Sequence, residues 1–131
     1  MIPVLAPEKT ESEVLKEEFA KRVEEEVRRL AELQPDKKAA CWNGRVTKGV
    51  FYPECIVGTA FYNLGVSPEI LVERSTANGV LSELFGDLCG NGPHPTDPSF
   101  WLHDVQYRQD IGATWSEAVT KTDSFVEDFA K

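Results

Sequence analysis

One periodic pattern near the amino terminus constrains the fold more than any other feature of the chain. Its apolar residues recur every three or four positions: Leu15, Phe19, Val23, Val27 and Leu30. This spacing places their side chains on one face of an α-helix. Thr10 and Glu13 have the spacing of a capping box, and Pro35 follows the last periodic residues. The pattern predicts an amphipathic helix over residues 10–34, whose apolar face must be covered by the rest of the chain or by a second copy.

A different pattern begins after this helix. Asn43-Gly44 lies between Ala40-Cys41-Trp42 and Arg45-Val46-Thr47, and because this dipeptide favours a type I′ turn, a β-hairpin is predicted near residues 40–52. The almost continuously apolar segment 55–64 predicts a buried helix that ends at Gly65. Ser67, followed by a proline, predicts the start of another helix.

Three more helices are predicted in the carboxy-terminal half, over residues 76–85, 98–111 and 115–129. Gly112 ends the second of them, and Thr114 with Glu117 has the spacing of a capping box for the third. The predicted fold class is therefore α+β, mostly α: a small helical domain with a short β-hairpin and a long amphipathic N-terminal helix. Residues 1–36 form the helical arm of this prediction, and residues 37–131 form its compact body.

Composition argues against several classes of function. The chain has 131 residues and a net charge of -8, which disfavours general binding to polyanions, because phosphates are neutralised by clustered cations. It has no apolar segment of the roughly 20 residues that a membrane-spanning helix needs. Since it has three cysteines and no evident signal peptide, we expect a cytoplasmic protein with reduced thiols.

Residues 58–74 have the spacing of a helix-turn-helix, the DNA-binding corner whose second helix enters the major groove. Such a helix has to offer cations and amides to phosphates and base edges, whereas this one carries Glu69 and Glu73, with Arg74 as the nearby cation. A DNA-binding regulator is therefore an alternative, and an ordinary buried corner is favoured.

Cysteines and histidines are the candidates for metal or nucleophilic chemistry: Cys41, Cys55, Cys89, His94 and His103. Thiolates and imidazoles suit zinc, but these residues lack the paired spacing of a zinc knuckle, and we expect no metal and no cofactor. Asp104 points about 100° away from His103 on a helix, and its spacing to Arg108 predicts a solvated ion pair instead. We expect no enzymatic activity and assign no catalytic residue; a small Cys/His hydrolase is the alternative.

Aromatic residues supply the candidate interaction surface. Phe61-Tyr62 and Phe100-Trp101 are consecutive, so one ring of each pair points away from a core that covers a single helix face. Together with Tyr107, these four residues are predicted to contact a partner, because exposed aromatic side chains often dominate binding. The alternative is that both helices are buried on all sides.

Two motifs carry a resemblance to other proteins. The first is Cys55-Ile56-Val57-Gly58 followed by Leu64-Gly65-Val66, and the second, more specific one covers residues 109–119. The segment 54–120 resembles a group of small proteins of actinobacteria and their phages that has no assigned activity. The resemblance implies a shared fold and source without implying a mechanism.

These observations together predict a non-enzymatic protein-interaction module, such as a phage-encoded accessory protein that binds a bacterial host protein in the host cytoplasm. Neither a membrane nor nucleic acid is the expected partner. The N-terminal helix offers a route to homo-oligomers.

Overall fold

Six helices and one two-stranded hairpin make up the described part of the chain. The computed structural model describes residues 11–38, 44–53, 55–73, 76–85 and 98–129. The elements in chain order are α1 (Glu11–Leu33), β1 (Gly44–Thr47), β2 (Val50–Pro53), α2 (Ile56–Asn63), α3 (Pro68–Glu73), α4 (Ala77–Phe85), α5 (Pro98–Asp110) and α6 (Trp115–Phe129). The predicted α+β, mostly helical fold with a short hairpin and a long N-terminal helix is confirmed.

Helix α1 packs against the helices of its own chain. Val23 and Val27 are fully buried, and the helix contacts α2, α4, α5 and α6. Leu15, predicted on the same apolar face, is instead about half exposed. Thr10, the predicted cap of this helix, lies outside the described residues. The central turns of α1 are therefore part of the helical body.

The hairpin turn lies at Lys48-Gly49, further along the chain than the predicted turn at Asn43-Gly44. Strands β1 and β2 are antiparallel, with Thr47 opposite Val50. The two residues between them, Lys48 and Gly49, have φ angles of 53° and 79°, as a type I′ turn requires. The prediction of a turn at Asn43-Gly44 is wrong, because this glycine already belongs to β1. A lysine in the left-handed region is a weaker sequence signal than asparagine, which explains the shift.

Glycine ends α2 and α5 at the predicted places. Gly65 has a φ of 95° and Gly112 a φ of 110°, a conformation that L side chains rarely adopt. Beyond Gly65, the N–H of Val66 donates to the carbonyl of Phe61 at 3.0 Å, which is the long bond of a Schellman motif. These two ends fix the corners at which α2 meets α3 and α5 meets α6.

The first turn of α6 is capped from two directions. Thr114 Oγ1 accepts from the N–H of Glu117, whose carboxylate accepts from the N–H of Thr114, both at 3.2 Å, so the predicted capping box is confirmed. The carbonyl of Lys37 accepts a third bond, from the N–H of Trp115 at 2.9 Å. The segment that follows α1 is thereby attached to the start of α6.

One apolar core joins the helices. Its largest fully buried side chains include Trp115, Phe61, Ile56, Leu71, Leu81 and Leu102. Burial of side chains of this size stabilises a fold by about 1.5–3 kcal/mol each relative to exposure. None of the described helices is both long and apolar enough to cross a membrane.

Candidate interaction surface

Two buried glutamines of α5 hold the first turns of two neighbouring helices. Gln109 Oε1 accepts from the N–H of Ile56 at 2.7 Å, and Gln106 Oε1 accepts from the N–H of Ala77 at 2.9 Å. Ile56 and Ala77 begin α2 and α4, where backbone N–H groups have no partner within the helix. Sequence reasoning missed both glutamines, although two amides three residues apart lie on one face of a helix and were an available signal.

Cys55 is the N-cap of α2. Its Sγ accepts a hydrogen bond from the N–H of Gly58 at 3.0 Å, and Gln106 Nε2 lies 3.9 Å from the same sulfur. Burial raises the pKa of the Cys55 thiol to about 12. A nucleophile or a zinc ligand needs the thiolate, so at neutral pH this cysteine is suited to capping and packing.

The other predicted cysteine and histidine candidates do not form a site that the structure describes. Cys41, Cys89 and His94 lie outside the described residues, and His103 is exposed on α5. Across the described ranges, no three His, Cys, Asp or Glu side chains are grouped closely enough to hold a metal ion. Cys55 and His103 therefore have unlike surroundings, one in the core and one at the surface.

Asp104 links α5 to α6. Its carboxylate accepts from Arg108 Nε at 2.7 Å and from Thr122 Oγ1 at 2.8 Å. The predicted pairing with Arg108 is present, but its description as a solvated surface pair is wrong, because the Asp104 side chain is only 15% exposed. The packing of α6 against this face of α5 removes the pair from most of the solvent.

A second polar cluster joins α1, α5 and α6. Arg28 donates to both oxygens of Asp123, each at 2.8 Å, and Trp101 Nε1 donates to Asp123 Oδ1 at 2.7 Å. The guanidinium also lies 4.6 Å from the centroid of the Trp101 ring. Burial raises the pKa of Asp123, but the hydrogen bonds from Arg28 and Trp101 and the charge of Arg28 outweigh it and hold this pKa below its ordinary value.

The prediction that all five aromatic residues form an interaction surface is wrong for Phe61 and Trp101, because both are buried. Phe61 is fully buried, with its ring centroid 6.2 Å from that of Phe19 on α1. Trp101 is 4% exposed, and its polar atom is bonded inside the protein to Asp123. The direction of each ring is set by the helices packed around it, and this was not evident from two consecutive aromatic residues. Tyr62, the neighbour of Phe61, is exposed.

Tyr62 belongs to a group of exposed apolar side chains at the hairpin. We call this group the hairpin surface; it comprises Val46, Val50, Tyr52 and Tyr62, each between 40% and 55% exposed. The register places Val46 beside Phe51 on one face of the hairpin, and Val50 and Tyr52 on the opposite face. The half-buried Phe51 connects it to α2, since the ring centroids of Phe51 and Tyr62 are 5.1 Å apart. Large apolar side chains grouped at the surface are typical of protein-binding sites.

The other two predicted residues lie on α5. Tyr107 is 55% exposed, and Ile111, one turn further on, is 67% exposed; we call this pair the α5 surface. Phe100 is half-buried, because its ring stacks on Phe125 of α6 with a centroid separation of 6.1 Å. The hairpin surface has more exposed apolar side chains than the α5 surface and is the stronger candidate.

The charge of the hairpin has the opposite sign to that of the whole chain. The hairpin, residues 44–53, includes two of the 14 basic residues, Arg45 and Lys48, and none of the 22 acidic ones. Lys48 lies at the tip of the hairpin and is exposed. Lys37, earlier in the chain, lies 4.5 Å from the centroid of the Trp115 ring at the start of α6, and α3, which carries the exposed Glu69 and Glu73, contacts β1.

The predicted helix-turn-helix segment forms a corner between α2 and α3. Helix α3 has only six residues, and Leu71 anchors it in the core. Its exposed side chains include Glu69 and Glu73, which are unfavourable next to phosphates.

In comparisons with known proteins, the chain matches no family model, no curated protein and no solved structure.

Proposed function

We propose that this chain is a non-enzymatic protein-interaction module that binds its partner through the hairpin surface. The observation that carries the proposal is a contrast between two groups of described side chains: the polar groups hold the fold together, whereas large apolar side chains at the hairpin are exposed. Cys55, Asp104 and Asp123 all serve as caps or as links between helices. The hairpin surface instead keeps large apolar side chains in contact with water, although Tyr62 also packs against Phe51, and this exposure has a cost in free energy.

The residue types of the hairpin surface support recognition of a protein. Tyr52 and Tyr62 combine a large apolar ring with a hydroxyl group and lose little conformational freedom on binding, and tyrosine is enriched among residues that dominate interface energies. Val46 and Val50 add apolar area on opposite faces of the hairpin. A stable interface buries about 1,600 Å² in total, so a partner has to contact more of the protein than these residues.

The proposal also includes the source of the protein and the kind of partner that it binds. The motif at residues 109–119 and its resemblance to proteins of actinobacteria and their phages support a phage-encoded accessory protein. Its partner is then a protein of the bacterial host, which the module binds and modulates in the host cytoplasm.

The test is affinity capture from an actinobacterial lysate with three forms of the full chain. They are the natural protein, a Tyr52→Ser/Tyr62→Ser variant of the hairpin surface, and a Tyr107→Ser/Ile111→Ser variant of the α5 surface as a matched control. All the replaced residues are exposed, so circular dichroism should show the same helical content in each form. The proposal expects a stoichiometric protein that is lost only with the hairpin variant. Recovery of no such protein, or its equal recovery with the hairpin variant, contradicts the proposal.

A further inference from the structure

A short segment after α1 crosses the start of α6. We call residues 35–38 the strap. The carbonyls of Pro35 and Lys37 accept from the N–H groups of Ser116 and Trp115, at 3.1 and 2.9 Å. The Lys37 ammonium lies 4.5 Å from the centroid of the Trp115 ring. The strap therefore supplies acceptors to the first two N–H groups of α6 and covers one face of a buried indole.

The strap buries little of its own surface in return. All four of its side chains are exposed, and none of them belongs to the apolar core. A cavity of about 260 Å³ lies beside Pro35, and its wall includes Ala31 of α1 and Val119 of α6. A segment with few buried apolar contacts opens at a lower free energy than the core of the same protein.

The Trp115 side chain adds a cost to the closed arrangement of the strap. Its Nε1–H is buried and has no hydrogen-bond acceptor among the described residues. A buried donor without a partner lowers stability, because it has lost its hydrogen bond to water. When the strap opens and water reaches the indole, this cost is removed.

Magnitudes favour opening of the strap alone over unfolding of the whole protein. A backbone hydrogen bond shifts an equilibrium by about fivefold, and an exposed cation–π contact by about threefold. Two such bonds and one such contact hold the strap closed by on the order of a hundredfold at most, since the released residues regain conformational freedom. Global unfolding is rarer, because small domains are unfolded in fewer than about one molecule in a thousand.

We propose that the strap is a cover that opens while the helical body stays folded. Opening frees the N–H groups of Trp115 and Ser116 and one face of the indole. The capping box of Thr114 and Glu117 does not involve the strap, so it keeps the start of α6 helical. The protein thus has a minor open form, present in about one molecule in a hundred, that exposes a large aromatic surface hidden in the closed form.

Hydrogen exchange of the full chain, followed residue by residue, tests this opening. The Trp115 and Ser116 amides should exchange about a hundredfold more slowly than in an unfolded chain, with little dependence on low urea concentrations, because the opening exposes little surface. The amide of Val27, in the core, should be protected at least about tenfold more and should lose protection as urea rises. Equal protection and equal urea dependence of Trp115 and Val27 would overturn the proposal.

Two variants weaken the strap without changing the core. Lys37→Ala removes the contact with the Trp115 ring and should speed exchange of the Trp115 and Ser116 amides about threefold. Lys38→Ala is the matched control and should leave this exchange unchanged, because Lys38 has no ring contact in the described part of the chain. Pro35→Gly should also speed it about threefold, since glycine gives the open strap more conformational freedom.

Fraying of α6 itself would also release these amides, and the Glu117 amide separates the two events. Its N–H bonds to Thr114 Oγ1 and not to the strap. Opening of the strap predicts that exchange of Glu117 is the same in both variants as in the natural protein. Acceleration of Glu117 together with the two strap-bonded amides, or no acceleration of those two amides in either variant, would overturn the proposal.

Discussion

Gln109 on α5 accepts a 2.7 Å hydrogen bond through Oε1 from the backbone N–H of Ile56, the first residue of α2. Its Nε2 donates to Asp110 Oδ1 at 3.3 Å, and the side chain is 2% exposed. A buried amide stabilises a protein only when its hydrogen bonds are satisfied. This contact therefore caps one helix and fixes the position of another, without exposing a reactive group.

Replacing Gln109 should destabilise the fold. Gln109→Leu leaves the buried N–H of Ile56 without its acceptor, so the free energy of unfolding should fall by about 1–3 kcal/mol. Urea denaturation measures this change, and Gln34→Leu at an exposed site is a control that should stay within about 0.5 kcal/mol. If the two variants lose equal stability, Gln109 is not a structural cap.

Local signals correctly predicted the ends of α2 and α5 and the start of α6, whereas contacts between distant residues were not predicted. Thr114 and Glu117 bond to each other across one helical turn, so their spacing alone predicts the capping box. The bond from Ile56 to Gln109 spans 53 residues and depends on how α2 packs against α5. That packing cannot be predicted from the spacing of residues along the sequence.

Cys55 should be unreactive in the folded protein. A Cys41→Ser/Cys89→Ser variant leaves Cys55 as its only thiol, and alkylation by iodoacetamide at mildly alkaline pH should be at least about a hundredfold slower than in the urea-unfolded chain. The pKa of about 12 also predicts a pH effect: the folded state keeps a proton that the unfolded chain releases above its ordinary pKa of 9.0. Stability should therefore decline as pH rises from about 9 toward 12. Comparable alkylation rates in the two states would contradict the buried cap.

Asp123 should stabilise the protein in a pH-dependent way. Its folded-state pKa lies below the ordinary value, so ionised Asp123 contributes stability above about pH 4, and this contribution is lost as pH falls through the folded-state pKa. Asp123→Asn should cost about 1 kcal/mol near neutral pH, a modest amount because both side chains are more than one third exposed.

Denaturant unfolding of the natural protein and Asp123→Asn across acidic pH measures this contribution. The difference between the two proteins should shrink on acidification, and Glu127→Gln at an exposed site on the same helix is the control. A difference that stays constant with pH would rule out the Arg28 ion pair as its source.

Val27 should report whether α1 is part of the body. Its side chain is fully buried against the same chain, so Val27→Ala should lower the free energy of unfolding by about 1–3 kcal/mol in a single cooperative transition. Leu33→Ala, at a side chain that is 62% exposed, is the matched control and should be nearly neutral. An α1 that melts separately from the rest of the protein would contradict this packing.

The candidate site could be predicted from the sequence only in part. Tyr62 and Tyr107 are exposed, whereas Phe61 and Trp101 are buried, because each ring's direction depends on helices distant in sequence. The position of the hairpin turn was also difficult to predict, because Lys48 adopts a backbone conformation that asparagine or glycine signals more clearly.

Site-specific photocrosslinking in actinobacterial cells tests whether the hairpin surface binds the partner protein. A photoreactive phenylalanine analogue replaces Tyr52 on the hairpin surface in one protein and Tyr107 on the α5 surface in another; both positions are about half exposed. The account predicts a discrete crosslink to one protein from position 52 and none from position 107. A crosslink from position 107 alone, with none from position 52, would contradict it.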